Sequence, residues 1–429
     1  MKTDCFLEEE LQKITSILQN NSIENKDVSF HFVYQNLNIY DLLNYVTCEK
    51  IFYFKSKYGD FSFLGLGHSK MVKARDLQPF LEGHPELFLV ASFLFEQDPL
   101  LTEFYLPEWI FVSKEGRTEL TLNKGHMTQS FAPASHFLET NSKYSLNDSA
   151  FSRWQSYHEN PEHDQWSQII SHCEELFDLK EIEKIVLSRQ KIFNYKDTIH
   201  SLSFFKKVME KNNFGNSSYA IFHQTSFKDS FISLTPEKLF SLKDNLFESI
   251  SLAASAPRGA SPKEDKEYEE LLNTSEKLMR EHNLVTEDII NRIRPYCESL
   301  SVSPLQTMKL PYIQHRSIPI VAKLLPNIGP LEITALLHPT PAVGGLPKKQ
   351  VLEKIRELES YERKRYAAPI GVLSSLYSEL AVGIRCALIE ESKLTLFAGA
   401  GIVEGSKAEE EWLETHIKMN PFLKVVIDE

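Results

Sequence analysis

GAGIVEGSKAEEEWLETHIK, residues 399–418, joins a glycine-containing segment to a charged helix. Glu411, Glu414 and Lys418 recur at helical spacing and therefore share one helix face. Two carboxylates on one face suit a hard cation such as Mg²⁺, although a solvated charged face is the more ordinary interpretation of this pattern. Gly399 and Gly401 predict a turn at which a ligand can approach the backbone closely.

Upstream of this stretch, strand patterns and helix patterns alternate without a strict βαβ rhythm. KIVLSRQKIF from Lys184 predicts a strand, and residues 201–211 predict a helix. A long helix is expected from Ser261-Pro262 to about Arg294, because Ser261 and Glu264 have capping-box spacing. A further helix is expected over residues 347–365. This pattern predicts mixed sheets with outer helices, which is an α+β layered architecture.

The first half of the chain is richer in strand patterns. Strands are expected from Val28, Ile51 and Phe61, and a hairpin from Trp109 turns near Glu115-Gly116. The apolar run over residues 87–95 is too short to span a membrane and predicts a buried strand or a core helix. Helical spacing also predicts a first helix over residues 6–18 and another near residues 166–177.

Composition excludes several classes of protein. The 429-residue chain has a formal net charge of −12, and its Lys and Arg residues form no dense basic stripe, so a nucleic-acid surface is not expected. Its five cysteines contain no C-x-x-C pair, and the odd number favours a reducing cytoplasm over a disulfide framework. Charges interrupt the N-terminal segment, so no signal peptide and no membrane association are expected.

Other residues that could carry chemistry are ambiguous when they are taken singly. Lys184 opens an apolar strand, where a lysine ordinarily extends to solvent, yet a buried neutral lysine can act as a base. Glu237 follows a proline, and Glu281 lies within the long helix, where charged residues usually face water. The proline- and glycine-rich run over residues 337–345 is ordinarily a loop. The chain contains no P-loop, dinucleotide fingerprint or nucleophile elbow.

Read together and in order, seven motifs resemble the chorismate-binding enzyme family, and within it the isochorismate synthases. The motifs are KIVLSR (184–189), TPEKLF (235–240), LAASAPRG (252–259), EKLMREHNLV (276–285), LHPTPAVGGLPK (337–348), VGIRCAL (382–388) and GAGIVEGSKAEEEWLETHIK (399–418). The motif-bearing resemblance covers residues 180–425, and a weaker likeness extends through the divergent residues 1–150. It implies one large α+β domain over residues 1–429, with two packed β-sheets flanked by helices.

The resemblance also implies roles for particular residues. Lys184 matches the family's general base, which activates the attacking water, and Glu237 matches the general acid. The remaining matched positions are the Mg²⁺ ligands Glu281 and Glu414, with Glu411 beside them, and the substrate-binding positions Ser255, His338, Ala342, Arg385, Gly401 and Lys418. Chorismate carries two carboxylates, of which Mg²⁺ would hold one and the Arg385–Lys418 pair the other.

Some positions depart from the family pattern. Ser233 stands where a glycine usually precedes the Thr-Pro-Glu motif, and Ala254-Ser255 replaces the more usual Gly-Thr. Lys364 occupies another position where glycine is usual. These departures concern loop shape and turnover rate, and they leave the matched acid, base and metal positions intact.

The resemblance leaves alternatives open within the family and outside it. Ammonia-using anthranilate and aminodeoxychorismate synthases generally carry a non-basic residue at the position of Lys184, so water is the expected nucleophile and no glutamine amidotransferase subunit is expected. A salicylate synthase, which goes on to eliminate pyruvate, is the second interpretation, and a non-catalytic homologue is the third. A monomer or a homodimer is expected. The isochorismate could serve menaquinone, siderophore or salicylate biosynthesis.

Overall fold

The computed structural model describes residues 28–35, 37–124, 153–212 and 217–427. In chain order the strands are β1 (Val28–Gln35), β2 (Ile51–Lys55), β3 (Phe61–Leu66), β4 (Lys70–Lys73), β5 (Leu89–Ser92), β6 (Glu103–Leu106), β7 (Trp109–Lys114), β8 (Arg117–Lys124), β9 (Ser156–Asn160), β10 (Lys184–Asn194), β11 (Ala220–Ser226), β12 (Asp229–Ser233), β13 (Lys238–Lys243), β14 (Leu246–Pro257), β15 (Cys297–Val302), β16 (Gln306–Lys309), β17 (Ile313–Leu324), β18 (Gly345–Leu346), β19 (Pro369–Leu373), β20 (Ser378–Val382), β21 (Cys386–Glu390) and β22 (Lys393–Ile402).

The α-helices of the described residues are α1 (Ile39–Leu42), α2 (Leu77–Gly83), α3 (His163–Asp178), α4 (Ser201–Lys211), α5 (Pro262–Thr274), α6 (Glu276–Ile293), α7 (Pro330–Leu337), α8 (Lys348–Leu358) and α9 (Ala408–Ile427). Short 3₁₀ turns lie at Ala74–Asp76, Pro99–Leu101 and Arg294–Tyr296. Among these described helices, none combines the length and the apolar composition that crossing a bilayer would require.

The strands form two antiparallel sheets. The first follows the order β1-β8-β7-β3-β2-β11-β12-β21-β22-β10-β18, with β9 also paired to β10. The second follows β15-β17-β14-β13-β20-β19-β5-β6-β4, with β16 also paired to β17. The predicted α+β class, two β-sheets flanked by helices, is confirmed. Both halves of the chain contribute to both sheets, because β2 pairs with β11 and β5 pairs with β19.

Alternation along β2 shows how the layers are built. Phe52 and Phe54 belong to the apolar core that the two sheets share, whereas Ile51 and Tyr53 belong to a core that includes α4 and α9. Successive side chains of a strand point to opposite faces, so this single segment packs on both sides. Burial on both faces explains why the strand reads as a continuous apolar run.

Several predicted elements have different bounds in the structure. The helix expected over residues 261–294 is two helices, because Ser275 adopts an extended conformation and its hydroxyl caps α6 by accepting from the Leu278 N–H. Ser261 caps α5 as predicted. The helix expected to reach Arg365 ends at Leu358. The turn predicted at Gly399 and Gly401 is wrong, because both lie within β22.

In the first half, the strands at Val28, Ile51 and Phe61 and the hairpin at Glu115-Gly116 are present as predicted. The apolar run contains β5 rather than a helix. The helix predicted over residues 6–18 lies outside the described residues. Ahead of the last helix, the Ser406 hydroxyl accepts from the backbone N–H of Val403.

Two of the departures from the family's glycine pattern have unusual backbone geometry. Ala254 has φ 61° and Lys364 has φ 52°. Both values lie in the left-handed region, which glycine enters freely and which costs a residue with a Cβ about 1–2 kcal/mol. The chain therefore keeps a backbone conformation suited to glycine at two positions where it has no glycine.

Candidate active site

A pocket of about 630 Å³ lies where β10 and β22 of the first sheet approach β14 of the second, with α6 and α9 at its edge. Eight of the eleven predicted site residues line it: Glu237, Ser255, Glu281, Ala342, Arg385, Gly401, Glu414 and Lys418. These residues come from segments spread over most of the second half of the chain, so the fold brings together what the sequence separates.

Glu237 is a pocket acid whose environment favours the protonated form near neutral pH. Its side chain is buried, and burial raises its pKa to about 7, against the opposing charges of Lys184, Lys418 and Arg385. Burial disfavours the ionised form of a carboxyl group, and here that effect outweighs three nearby cations. A carboxyl group with this pKa can donate a proton at working pH.

Lys184 begins β10 and is only 1% exposed, so it does not extend to solvent. Its Nζ lies 3.0 Å from Glu281 Oε1. Lys184 does not itself line the pocket; it lies behind Glu281, and its charge acts on Glu237. The predicted base, the predicted acid and a predicted metal ligand are therefore electrostatically coupled.

Gly401 lies beside this ion pair. A Cβ built at Gly401 would overlap Glu281 Oε1 and would approach Lys184 Cε to 3.2 Å. Gly401 stands opposite Val186 in the pairing of β22 with β10, close to the first residues of β10. The glycine thus keeps space for the Lys184–Glu281 contact, which is the reason for a small residue within a strand at this point.

The other two predicted metal ligands also contact lysines. Glu414 pairs with Lys418 at 2.5 Å, and the buried Glu411 pairs with Lys277 at 2.8 Å. Burial, together with the charges of Glu414 and Glu281, raises the pKa of Glu411 to about 7, while Lys277 opposes the shift. Glu411 is therefore near enough to Glu414 and Glu281 for both of their charges to act on it. Within the described residues, no group of three or more His, Cys, Asp and Glu side chains is arranged to hold a metal ion.

Arg385 belongs to a buried chain of polar contacts that sequence reasoning only partly anticipated. Its Nη2 lies 2.6 Å from His315 Nε2, and His315 Nδ1 lies 3.0 Å from Ser255 Oγ. Arginine can only donate, so Nε2 accepts, and the neutral ring carries its proton on Nδ1 and donates to Ser255. Burial and the charge of Arg385 hold the pKa of His315 well below its usual value. His315 lies in β17, and no sequence motif singled it out.

The structure contradicts the expected placement of His338 in this pocket. Its ring packs edge-on against Phe95, with centroids 5.5 Å apart, and its carbonyl accepts from Lys348 Nζ. These contacts turn it toward a second cavity, which His338, Phe95 and Lys348 help to line. Only the later part of the same loop, at Ala342 and Val343, reaches the first pocket.

Known proteins are similar to this chain in sequence and in architecture. Residues 95–427 match the family described as chorismate binding enzyme. Isochorismate synthase MenF of Haemophilus influenzae is 35% identical over 249 residues, 58% of this chain and 57% of that protein. Isochorismate synthase EntC of Escherichia coli is 32% identical over 267 residues, 62% of this chain and 68% of that protein.

A solved structure, that of MenF, the menaquinone-specific isochorismate synthase of Escherichia coli, superposes with a TM-score of 0.85 at 24% identity, over 98% of this chain and 99% of that one. At this identity the likeness shows a common fold. The match to the Haemophilus relative spans less than two thirds of that protein. The family match covers most of the present chain, including the segments that build the pocket. The chain belongs to the chorismate-binding enzyme family.

Proposed function

We propose that this protein is a Mg²⁺-dependent isochorismate synthase, which reversibly converts chorismate to isochorismate. The observation that carries the proposal is the buried Glu237, whose pKa of about 7 fits a general acid, in one pocket with Arg385 and Lys418 and with Lys184 buried beside it. The relatives named as isochorismate synthases support the same choice within the family.

The charges of the pocket suit a substrate with two carboxylates. Arg385 offers a planar guanidinium and Lys418 a compact ammonium, and both line the pocket. In a buried site such charged hydrogen bonds are shorter and stronger than neutral ones. Arg385 also has φ 46°, an uncommon backbone conformation for a residue with a side chain, of the kind often found where a site fixes a functional group. We assign one carboxylate of chorismate to this pair.

The proposed reaction exchanges one hydroxyl position for another. Lys184 must first lose the proton that it holds in the ion pair with Glu281; as the neutral amine it then takes a proton from water while the water oxygen bonds to carbon 2 of the ring. The ring double bonds shift, and the bond between carbon 4 and its hydroxyl breaks as Glu237 protonates the departing oxygen. One water is consumed and one is released, so atoms and charge balance. A positioned acid or base typically contributes about 10²–10⁴-fold in rate.

The chemistry of Glu281, Glu411 and Glu414 fits a hard divalent cation, because carboxylate oxygens are the ligands that Mg²⁺ prefers, but in this structure the three carboxylates contact lysines and are not arranged around a metal ion. Burial, and then the charges of Glu414 and Glu281, raise the pKa of Glu411, and a bound cation would offset those two charges. When bound there, Mg²⁺ would neutralise the second carboxylate of the substrate. We assign Glu281 and Glu414 as ligands and Glu411 to metal-bound water; the lysines that now contact them would have to give up or share those contacts.

We further propose that the whole chain is one domain, since both halves contribute strands to each sheet. The absence of a paired cysteine framework in the sequence supports a cytoplasmic location. Water as nucleophile needs no glutamine amidotransferase subunit. Menaquinone biosynthesis is the pathway that we favour for the product, because the MenF of Escherichia coli with the same fold is described as menaquinone-specific; siderophore and salicylate biosynthesis are the alternatives.

Product analysis tests this proposal. Purified protein incubated with chorismate and Mg²⁺ is expected to give a mixture of chorismate and isochorismate, approached equally from either compound, with little pyruvate. Chromatography separates the two isomers, and a coupled assay measures pyruvate. Stoichiometric pyruvate with salicylate would instead identify a salicylate synthase, and a requirement for ammonia would contradict the proposal. No turnover with Mg²⁺ would indicate a non-catalytic homologue.

A further inference from the structure

A fully buried ion pair lies behind the pocket, outside the residues that the motifs assign. Arg363 is 1% exposed and Glu359 is 8% exposed. The guanidinium bonds the carboxylate twice, from Nη2 to Oε1 at 2.6 Å and from Nε to Oε2 at 2.8 Å. Glu359 is the C-cap residue of α8, and Arg363 lies four residues further along the chain. Two charges taken out of water need further hydrogen bonds to satisfy their remaining atoms.

Those further bonds go to two segments that line the pocket, called here the two walls: β10 and the loop before β18. Arg363 Nη1 donates to the carbonyl of Val343 at 2.8 Å, and Nη2 donates to the carbonyl of Val186 at 2.7 Å. Val343 and Val186 both line the pocket, one in the loop before β18 and the other in β10. The two segments adjoin, since the Val186 N–H also donates to the Gly344 carbonyl, and the Arg363 side chain adds a second connection between them.

Glu359 adds a second connection to β10. Its Oε1 accepts from the backbone N–H of Ser188 at 2.7 Å and from the Ser188 hydroxyl at 2.9 Å. Val186 and Ser188 follow Lys184 in the strand at intervals of two residues, so their side chains lie on the same face as that of Lys184. The pair thus hydrogen bonds to β10 at Val186 and at Ser188, two and four residues beyond the proposed base.

We propose that the Glu359–Arg363 pair, called here the clamp, is a positioning device for the reaction: it fixes the direction of the first residues of β10, and with them Lys184, relative to the loop that carries Ala342 and Val343. The inference rests on the proposed function, in which Lys184 activates water. Neither residue of the clamp lines the pocket, and the clamp acts through the backbone of both walls.

The geometry requires an arginine. The planar guanidinium presents Nε and two Nη groups in a fixed fork, which reaches two carboxylate oxygens and two carbonyls at once. Phe95 lies against its face, with the guanidinium carbon 4.5 Å from the ring centroid, and so limits its tilt. A lysine keeps the charge, but its ammonium is a single point and cannot hold both walls in this arrangement.

Arg363→Lys tests the clamp against a matched control. Arg258→Lys alters an arginine that also bonds a carboxylate twice, at Asp265, and one backbone carbonyl, at Leu310, without contacting a pocket wall. We expect Arg363→Lys to lower kcat for chorismate by about 10–100-fold with KM changed less than about 3-fold, because misplacement by about 1 Å can cost about 100-fold. Arg258→Lys should change both less than about 3-fold. Equal kcat for the two variants would overturn the proposal.

Backbone hydrogen exchange supplies a readout that is independent of turnover. In Arg363→Lys the amides of residues 184–188 and 343–346 should exchange faster than in the wild type, while other strands of the first sheet keep their protection. A uniform loss of protection would mean that the pair merely stabilises the fold, which contradicts the proposal. If the wild type fails to turn over chorismate, the proposed function fails, while the exchange comparison still decides whether the clamp fixes both walls.

The double variant Glu359→Gln/Arg363→Met separates positioning from stability. It leaves no unpaired buried charge, and replacing a buried pair by uncharged groups is often neutral for folding. We expect a folded protein with the melting temperature of the wild type and with kcat lowered as in Arg363→Lys. A folded variant with wild-type kcat would overturn the proposal, as would a variant that cannot fold, because the pair would then serve the fold itself.

Discussion

Lys184 Nζ lies 3.0 Å from Glu281 Oε1 in a buried ion pair, although 97 residues separate the two in sequence. The proposed base and a proposed metal ligand therefore share one contact. A change at Glu281 should affect both the cation and the orientation of the lysine, whereas a change at Glu414 leaves the Lys184–Glu281 pair in place. This difference allows the two roles to be tested separately.

The metal assignment predicts that Glu281→Gln and Glu414→Gln each weaken Mg²⁺ binding by about 10-fold or more, since even residues that only support metal ligands typically contribute about 10–100-fold in affinity. Titration calorimetry with Mg²⁺, or Mn²⁺ binding followed by electron paramagnetic resonance, measures this without turnover. Glu404→Gln is the control, because Glu404 is exposed and pairs with Arg280. Wild-type affinity in both variants would contradict the assignment.

The raised pKa of Glu237 predicts how turnover depends on pH. Its acid form is the active one, so kcat should fall as pH rises through about 7. Because Gln has the shape of the protonated acid but cannot give up a proton, Glu237→Gln should be slow by about 10²–10⁴-fold. It should also lack this alkaline decline. Measuring kcat between about pH 5.5 and 9 tests this prediction, and a wild-type rate that rose steadily across this range would contradict it.

His315 is expected to orient Arg385 for substrate binding. His315→Leu removes the acceptor at 2.6 Å from Arg385 Nη2. A hydrogen bond to a charged group contributes about 1.5–3 kcal/mol, so KM for chorismate should rise by about 10-fold or more. Steady-state kinetics measures the change, and Ser255→Ala, which leaves the His315–Arg385 contact intact, should raise KM less. An unchanged KM in His315→Leu would argue against the orienting role.

The left-handed backbone at Lys364 predicts a stabilising substitution. Lys364→Gly should relieve about 1 kcal/mol of backbone strain, although it also removes a half-exposed ion pair with Glu390, which is worth about 0–1 kcal/mol. Lys364→Gln removes the same ion pair and keeps the Cβ, so it is the matched control. Chemical denaturation should find the glycine variant more stable than the glutamine variant by about 1 kcal/mol. Equal free energies of unfolding would show that the conformation is not strained.

Strand and helix identity could be read from the sequence where one local pattern dominates. The alternation and apolar runs at β2, β3 and β10 and the capping spacing at Ser261 gave the right elements. The break at Ser275 was missed because the helical pattern continues on both sides of it, and only the cap shows where the chain turns. The turn predicted at Gly399 and Gly401 is wrong, because sequence alone does not show whether a glycine is needed for an unusual backbone conformation or to leave space for a neighbouring side chain.

The site could be predicted as far as its motifs extend, since eight of the motif-derived residues line one pocket. The misplacement of His338 arose because neighbouring residues of one loop face different cavities, a choice made by packing against Phe95. His315 and Arg363 could not be found in this way. Their partners come from distant segments of the chain, and a histidine in a strand or an arginine after a helix has no sequence pattern of its own.

Oxygen labelling tests the central claim, that Lys184 directs water to carbon 2 as Glu237 assists loss of the hydroxyl at carbon 4. Chorismate is incubated with the protein and Mg²⁺ in ¹⁸O-labelled water, and the isochorismate is examined by mass spectrometry early in the reaction. The account predicts one labelled oxygen, located at carbon 2, and formation slower by about 10²–10⁴-fold in Lys184→Ala. Isochorismate without label, or labelled product formed by Lys184→Ala at the wild-type rate, would contradict it.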